Sequence, residues 1–202
     1  AGKIATSSSF NATLATNEKL ATSSIGFLTF TTPFTVNLWM NVTTQPVINT
    51  PATPFQWSDD STTNTKGMFE LQLYNNGGTM QVYIDRFNSA GFDQVGANQT
   101  FTPGTWYMLT YRWDGSTITL NVNGNTTDLL SKASTRLGTN TALGYGTEFR
   151  IGRDSLNDRD FQGKIDEFSI YNDDISDAMM TTLYNSGSGI SYDCAASPEA
   201  TT

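Results

Sequence analysis

The sequence predicts an all-β fold, a two-sheet antiparallel sandwich or jelly roll, on three observations. Short runs alternate apolar and polar residues at period two, as half-buried strands do. Asn, Asp and Gly pairs punctuate those runs at hairpin spacing. Convincing helix signals occur in a single segment near the carboxyl end. With 37% hydrophobic and 12% aromatic residues among 202, the chain can fill one sandwich core.

The first 30 residues, rich in Ser, Thr and Ala, read as a peripheral strand and loops. Organisation begins at Phe34: in FTVNLWMNV, Phe34, Val36, Leu38, Met40 and Val42 share one face and Trp39 takes the other. Residues 43–66 hold three Pro and the polar run from Ser58 to Thr63, which predicts a long excursion at the rim of a sheet. GMFELQLY and TMQVYIDRF form a hairpin about Asn75-Asn76-Gly77-Gly78, because Asn and Gly tolerate positive φ. In WYMLTYRWDGSTITLNVNG, Leu109, Tyr111 and Trp113 line one strand, the chain turns at Asp114-Gly115, and Ile118, Leu120 and Val122 line the next. TEFRIGR and GKIDEFSIYN are further strands, divided by the charged loop from Asp154 to Gln162. The helix lies in ISDAMMTTLYNSG, with Ser176 as N-cap, Ile175 and Met180 as a hydrophobic staple, and Gly187 to close it.

Composition narrows the function. The net charge is −8 with 11 basic residues and no dense Lys/Arg run, so nucleic acid is not an expected partner. No stretch approaches the ~20 apolar residues of a membrane-spanning helix, and the amino terminus lacks a signal-peptide core, so a soluble chain without membrane insertion is expected. Ala1 is compatible with removal of an initiator Met or of a signal. Cys194 stands alone, which rules out an intrachain disulfide or a Cys-based zinc site. The absence of histidine removes Ser/His and Cys/His nucleophile pairs and histidine metal sites.

The segments FTVNLWMNV, FTPGTWYMLTYRWDGSTITLNVNG and EFRIGRDSLNDRDFQGKIDEFSIYNDDISDAMMTTLYN resemble the successive motifs of the laminin-G-like, concanavalin A-like family over roughly residues 8–186. The closing F-x-G-x-I-D-E-F-x-I-Y-N, followed by a short helix, is the specific one. SSSFNATLATNEKLAT looks like a weakened form of that family's opening strand. The resemblance implies a concanavalin A-like jelly roll over residues 1–187, used mainly as a non-catalytic recognition module for glycans and often with calcium. Residues 188–202 form a weakly patterned tail, expected to pack on a neighbouring chain in a homo-oligomer or particle.

Candidate site residues fall into two groups. Asp166 shares strand parity with Phe168 and Ile170 and is expected to point inward, either accepting backbone N–H bonds or ligating calcium with strand carbonyls. Asp154, Asn157, Asp158 and Asp160 supply hard oxygen ligands within one loop, although Arg153 and Arg159 could neutralise the same acids. Asp59 and Asp60 are a second calcium or ligand pair. Trp57, Tyr74, Tyr83 and Tyr145 lie in rim loops or at outward parities where a ring either stacks on a sugar or packs on protein.

Catalysis is not expected. Glycan-cleaving relatives place two carboxylates ~5 to 5.5 Å apart along one strand face. Here Glu70 is alone in MFELQL, and Asp166 and Glu167 are neighbours of opposite parity. The expected function is therefore a recognition or structural module. One form is a surface-exposed decoration or fibre component of a virus or phage particle with glycan binding. The alternative is a secreted or cell-surface, calcium-dependent lectin-like domain.

Overall fold

In a computed structural model of the chain, the described residues are 8–10, 20–22, 32–58, 68–77, 79–88, 91–133, 148–154 and 159–190. Among them the alternating runs form two six-stranded antiparallel sheets. The first sheet orders β1 (Ser8–Phe10), β12 (Gly163–Tyr171), β3 (Phe34–Val42), β8 (Trp106–Trp113), β9 (Thr117–Val122) and β10 (Leu130–Ala133). The second orders β2 (Leu20–Thr22), β11 (Glu148–Ile151), β4 (Ala52–Ser58), β5 (Met68–Asn76), β6 (Thr79–Asn88) and β7 (Gly91–Asn98).

Each sheet turns its apolar parity toward the other. From β3 come Phe34, Val36, Leu38, Met40 and Val42; from β8 and β9 come Leu109, Tyr111, Trp113, Ile118 and Leu120. The second sheet answers with Phe55, Trp57, Phe69, Leu71, Leu73, Val82 and Phe149. Phe34 stacks on Tyr111 at 6.0 Å, Phe55 stacks on Phe149 at 6.0 Å, and Trp57 meets Phe69 edge-on at 5.5 Å. Such rings bury large apolar areas and fix the spacing between the sheets.

Two expectations fail here for identifiable reasons. Residues 52–58 are not part of a rim excursion but form β4, an interior strand between β11 and β5. Pro54 is tolerated because it sits where the register with β5 shifts between Ala52 and Phe55, a bulge that needs no donor from it. Asp166 does not share a face with Phe168. β12 bulges between Asp166 and Ser169, with Glu167 at φ 46°, so Ile165 pairs with Met40 on the core side and Asp166 pairs with Trp39 on the outer side. The extra residue resets parity, and Ile170 returns to the core opposite Val36.

The helix α1 (Asp177–Tyr184) forms where the capping signals place it. Ser176 Oγ accepts from the Met179 N–H at 3.2 Å, and Ile175 and Met180 are both buried as the staple requires. Its far end is closed by Asn185 in the left-handed region (φ 46°) rather than by Gly187, which ends a following 3-10 turn. α1 covers the outer face of the first sheet, joining Ile175, Met180 and Leu183 to Trp39 and Met108, with Tyr184 stacked on Trp39 at 5.7 Å. Of the expected tail, Ile190 packs on this cluster and residues 191–202 lie outside the described residues. No described helix is long and apolar enough to cross a membrane.

Candidate functional site

Strand parity leaves the outer face of the second sheet with polar side chains. Pairing sets Arg150 opposite Gln56 and Gln56 opposite Glu70, with Gln72 two residues further along β5. These groups are buried, Glu70 completely at 0% exposure. Buried polar groups need partners, and Gln56, Glu70 and Gln72 supply one another's. Glu70 accepts from Gln56 Nε2 at 2.9 Å and from Gln72 Nε2, and pairs with Arg159 Nη1 at 3.1 Å. Arg159 also faces Asp154 through Nε at 3.7 Å, and its own carbonyl accepts from the Thr53 N–H at 3.0 Å. The loop after β11 is thereby fastened across β4 and β5.

Beside this network lies a partly exposed patch on the same face. Tyr74 on β5 and Tyr83 on β6 meet edge to face at 5.7 Å. Tyr74 donates its hydroxyl proton to Asn49 Oδ1 at 2.9 Å, and Tyr83 donates to Gln81 Oε1 at 2.6 Å. Gln81 Nε2 in turn donates to Asn98 Oδ1. Tyr83 can lie this close to β7 because residue 96 is Gly: a Cβ there would sit 2.4 Å from the ring. Asn49 is held by the 43–51 loop, whose backbone docks on β5 through the Asn49 N–H to Asn75 carbonyl bond (3.2 Å) and the Ile48–Asn75 bridge. The result is two adjoining aromatic rings framed by amides on a three-strand platform.

The expected site residues separate accordingly. Tyr74 and Tyr83 are brought together. Trp57 is not a rim residue: at 1% exposure it packs inside against Phe34 and Phe69, because its parity is that of the core. Asp154 and Asp160 face guanidinium groups, Asp154 with Arg159 and Asp160 with Arg153 Nε at 2.9 Å. A calcium ion at these two carboxylates would have to displace both arginines, so the pair does not fit a calcium cradle. Among the described residues no group of three His, Cys, Asp or Glu side chains is placed to hold a metal ion. Asp166 lies on the other sheet, where its carboxylate accepts from the Glu167 N–H at 3.1 Å. Asn157, Asp158, Asp59, Asp60 and Tyr145 lie outside the described residues.

Gln56, Gln72, Gln81 and Asn98 are not among the candidates the sequence marks, and Glu70 stands out there only as a carboxylate without a catalytic partner. Their signal was the polar half of the alternation in ELQLY and MQVY, which places 70, 72 and 74 and then 81 and 83 on one face.

Two other features lie apart from this patch. A cavity of about 200 Å³ between the 43–51 loop and residues 160–162 is lined mainly by Val42, Pro46, Val47, Pro51, Leu73 and Phe161. Thr44, Gln45, Thr50, Asp160 and Gln162 supply the polar part of its lining, and the Asp160 carboxylate there is taken by Arg153. At the start of α1, Arg112 meets Asp177 at 2.9 Å, Asp128 at 3.5 Å and Asp174 at 3.8 Å. Burial pushes the Asp174 carboxyl above its ordinary range despite Arg112. Burial also raises Asp114, but hydrogen bonds from Thr117 and Ser116 outweigh it and hold that carboxyl below its ordinary range. Arg112 also donates to the Ile175 carbonyl at 3.1 Å, so this cluster fastens the helix.

Comparison with known proteins agrees with the architecture. A family model described as the concanavalin A-like lectin/glucanases superfamily matches residues 14–179. No curated protein matches the sequence significantly. Among solved structures, NanB in complex with Optactamide superposes with a TM-score of 0.69 at 16% identity, over 88% of this chain and 27% of that one; NanB is a sialidase from Streptococcus pneumoniae. This chain thus spans about a quarter of NanB. A SAP-like pentraxin from Limulus polyphemus gives 0.59 at 15% identity, over 87% and 80% of the two chains. A Ruminococcus gnavus IT-sialidase CBM40 bound to alpha2,3 sialyllactose gives 0.59 at 13%, over 76% and 83%. At such identities the likeness is one of fold.

Proposed function

The chain belongs to the concanavalin A-like lectin/glucanases superfamily, and on that premise we propose that it is a non-catalytic glycan-binding module. Its ligand rests on the Tyr74/Tyr83 patch of the second sheet. The observation that carries this reading is the pairing of two partly exposed tyrosine rings with the Asn49, Gln81 and Asn98 amides on one face. A sugar ring needs an aromatic surface for its C–H face and nearby donors and acceptors for its hydroxyls, and this patch supplies both. Glu70, the buried carboxylate of the neighbouring network, is taken up by amide and guanidinium donors, which suits a scaffold better than a general acid.

Such a module works outside a cell or on a particle surface, with a glycan as partner. A second reading, a structural component of a virus or phage particle, is favoured by one feature. Val47 and Ile48 are 74% and 55% exposed beside the apolar cavity, the kind of surface that assembly contacts bury.

The test is a glycan panel probed with wild type and Tyr83→Ala, each in calcium and in chelator. A hit in the millimolar to micromolar range is expected, weakened at least ~10-fold (about 1.4 kcal/mol) by Tyr83→Ala and unaltered by chelator. Retention of full binding by the variant would place the ligand elsewhere. Loss in chelator would return calcium to the site.

A further inference from the structure

The charge and proton inventory of the same patch says which glycans it takes, an inference that rests on the glycan-binding reading above. Both phenols have spent their only proton, Tyr74 on Asn49 Oδ1 and Tyr83 on Gln81 Oε1, so each phenol oxygen has only acceptor capacity left for a ligand. The remaining donors are amide N–H groups, those of Asn49 and Asn98 among them. A sugar hydroxyl, which both donates and accepts, matches this mixture. A carboxylate, which only accepts, meets lone pairs at both phenols.

Among the described residues, the guanidinium groups on this side of the sandwich do not offset that. Arg159 is engaged by Glu70 at 3.1 Å and by Asp154 at 3.7 Å, Arg153 is engaged by Asp160 at 2.9 Å, and Arg150 is buried in the β11–β4–β5 row. An anionic sugar would have to pull one of these cations from its acid before gaining a bidentate contact. The net charge of −8 adds a long-range field of the wrong sign for an anion. We propose that this patch selects neutral, hydroxyl-rich glycans and discriminates against chains ending in a carboxylate sugar, unlike the sialyllactose-bound module whose fold it shares.

Titration of neutral oligosaccharides and their sialylated counterparts, lactose against alpha2,3 sialyllactose among them, tests this by saturation-transfer NMR and calorimetry. The expected result is binding of neutral members, at least ~10-fold weaker binding of each sialylated partner, and loss of both signals in Tyr83→Ala. Tyr83→Phe, which keeps the ring and packing, should weaken neutral binding severalfold; unchanged affinity would overturn the role assigned to the phenol oxygen. Sialylated members binding as well as or better than neutral ones, with that binding lost in Tyr83→Ala, would overturn the selectivity and leave the glycan reading standing. Silence across the whole panel would overturn the glycan reading itself, and the selectivity with it.

Discussion

Replacing Glu70 by Gln asks whether the polar platform behaves as one unit. The carboxylate is fully buried and takes hydrogen bonds from Gln56 and Gln72 besides its ion pair with Arg159. Gln preserves the shape but turns one acceptor oxygen into an amide facing donors, and it removes the charge opposite Arg159. Breaking a buried pair by removing one partner costs about 3–5 kcal/mol. The Arg159 side chain is 29% exposed, so water recovers part of the loss and about 3 kcal/mol is expected. In a domain of this size about 1 kcal/mol moves Tm by about 2–4 °C, so Tm should fall by about 6–12 °C. Urea unfolding of wild type, Glu70→Gln, Arg159→Met and the double variant closes a cycle with an expected coupling of about 1–3 kcal/mol. An additive cycle, or a Glu70→Gln variant within about 0.5 kcal/mol of the parent, would refute the single-unit argument.

Three further outcomes are expected. Gly96→Ala drives a Cβ into the Tyr83 ring, so glycan binding should drop at least as far as in Tyr83→Ala while the unfolding midpoint moves less than in Glu70→Gln. Arg112→Met frees the start of α1 and should cost about 2–3 kcal/mol at pH 7, read from urea unfolding. That cost should shrink on acidification: the folded-state Asp174 carboxyl lies above its ordinary range, so its ionised form opposes folding at neutral pH and this opposition fades as pH falls through that raised value. The Asp114 contribution runs the other way in both proteins, present at neutral pH and lost below the ordinary carboxylate range. Ser176→Ala removes the N-cap acceptor of Met179 and should cost about 0.5–2 kcal/mol, with Ser176→Asp restoring it.

How much could be read in advance depended on whether one rule governed a segment. β3, β8 and β9 were legible because their apolar parity is unbroken and one face is fully buried. The helix was legible because cap and staple are local. β4 was missed because three prolines suggest a loop, and only the pairing with β5 reveals a bulge that absorbs Pro54. The same prolines put Trp57 at a rim by sequence, whereas β4 carries it into the core. Asp166 was turned inward by counting parity through a strand that contains an extra residue, and nothing local distinguishes Glu167 at positive φ from an ordinary strand residue. The tyrosine patch is half legible: outward parity places Tyr74 and Tyr83, but Asn49 lies 25 residues from Tyr74, and Asn98 lies 17 residues from the Gln81 that Tyr83 meets.

The two outer faces of the sandwich have been put to different uses, and this argues for where a ligand belongs. On the first sheet, Trp39, Met108 and Tyr171 would present an apolar surface to water, and α1 is fastened over it by Arg112, Thr35 and the Ser176 cap. A helix held at so many points makes a permanent cover. On the second sheet the outward row is polar, Glu70 binds Gln56, Gln72 and Arg159 within it, and among the described residues no helix covers it. Order without a covering helix is what a recognition surface requires, because a preorganised platform loses less entropy when a weak ligand binds. The tyrosines stand at the end of that row, with Tyr83 opposite Gln72 and Gln72 bonded to Glu70, so any change that loosens the network should reach binding through position rather than contact.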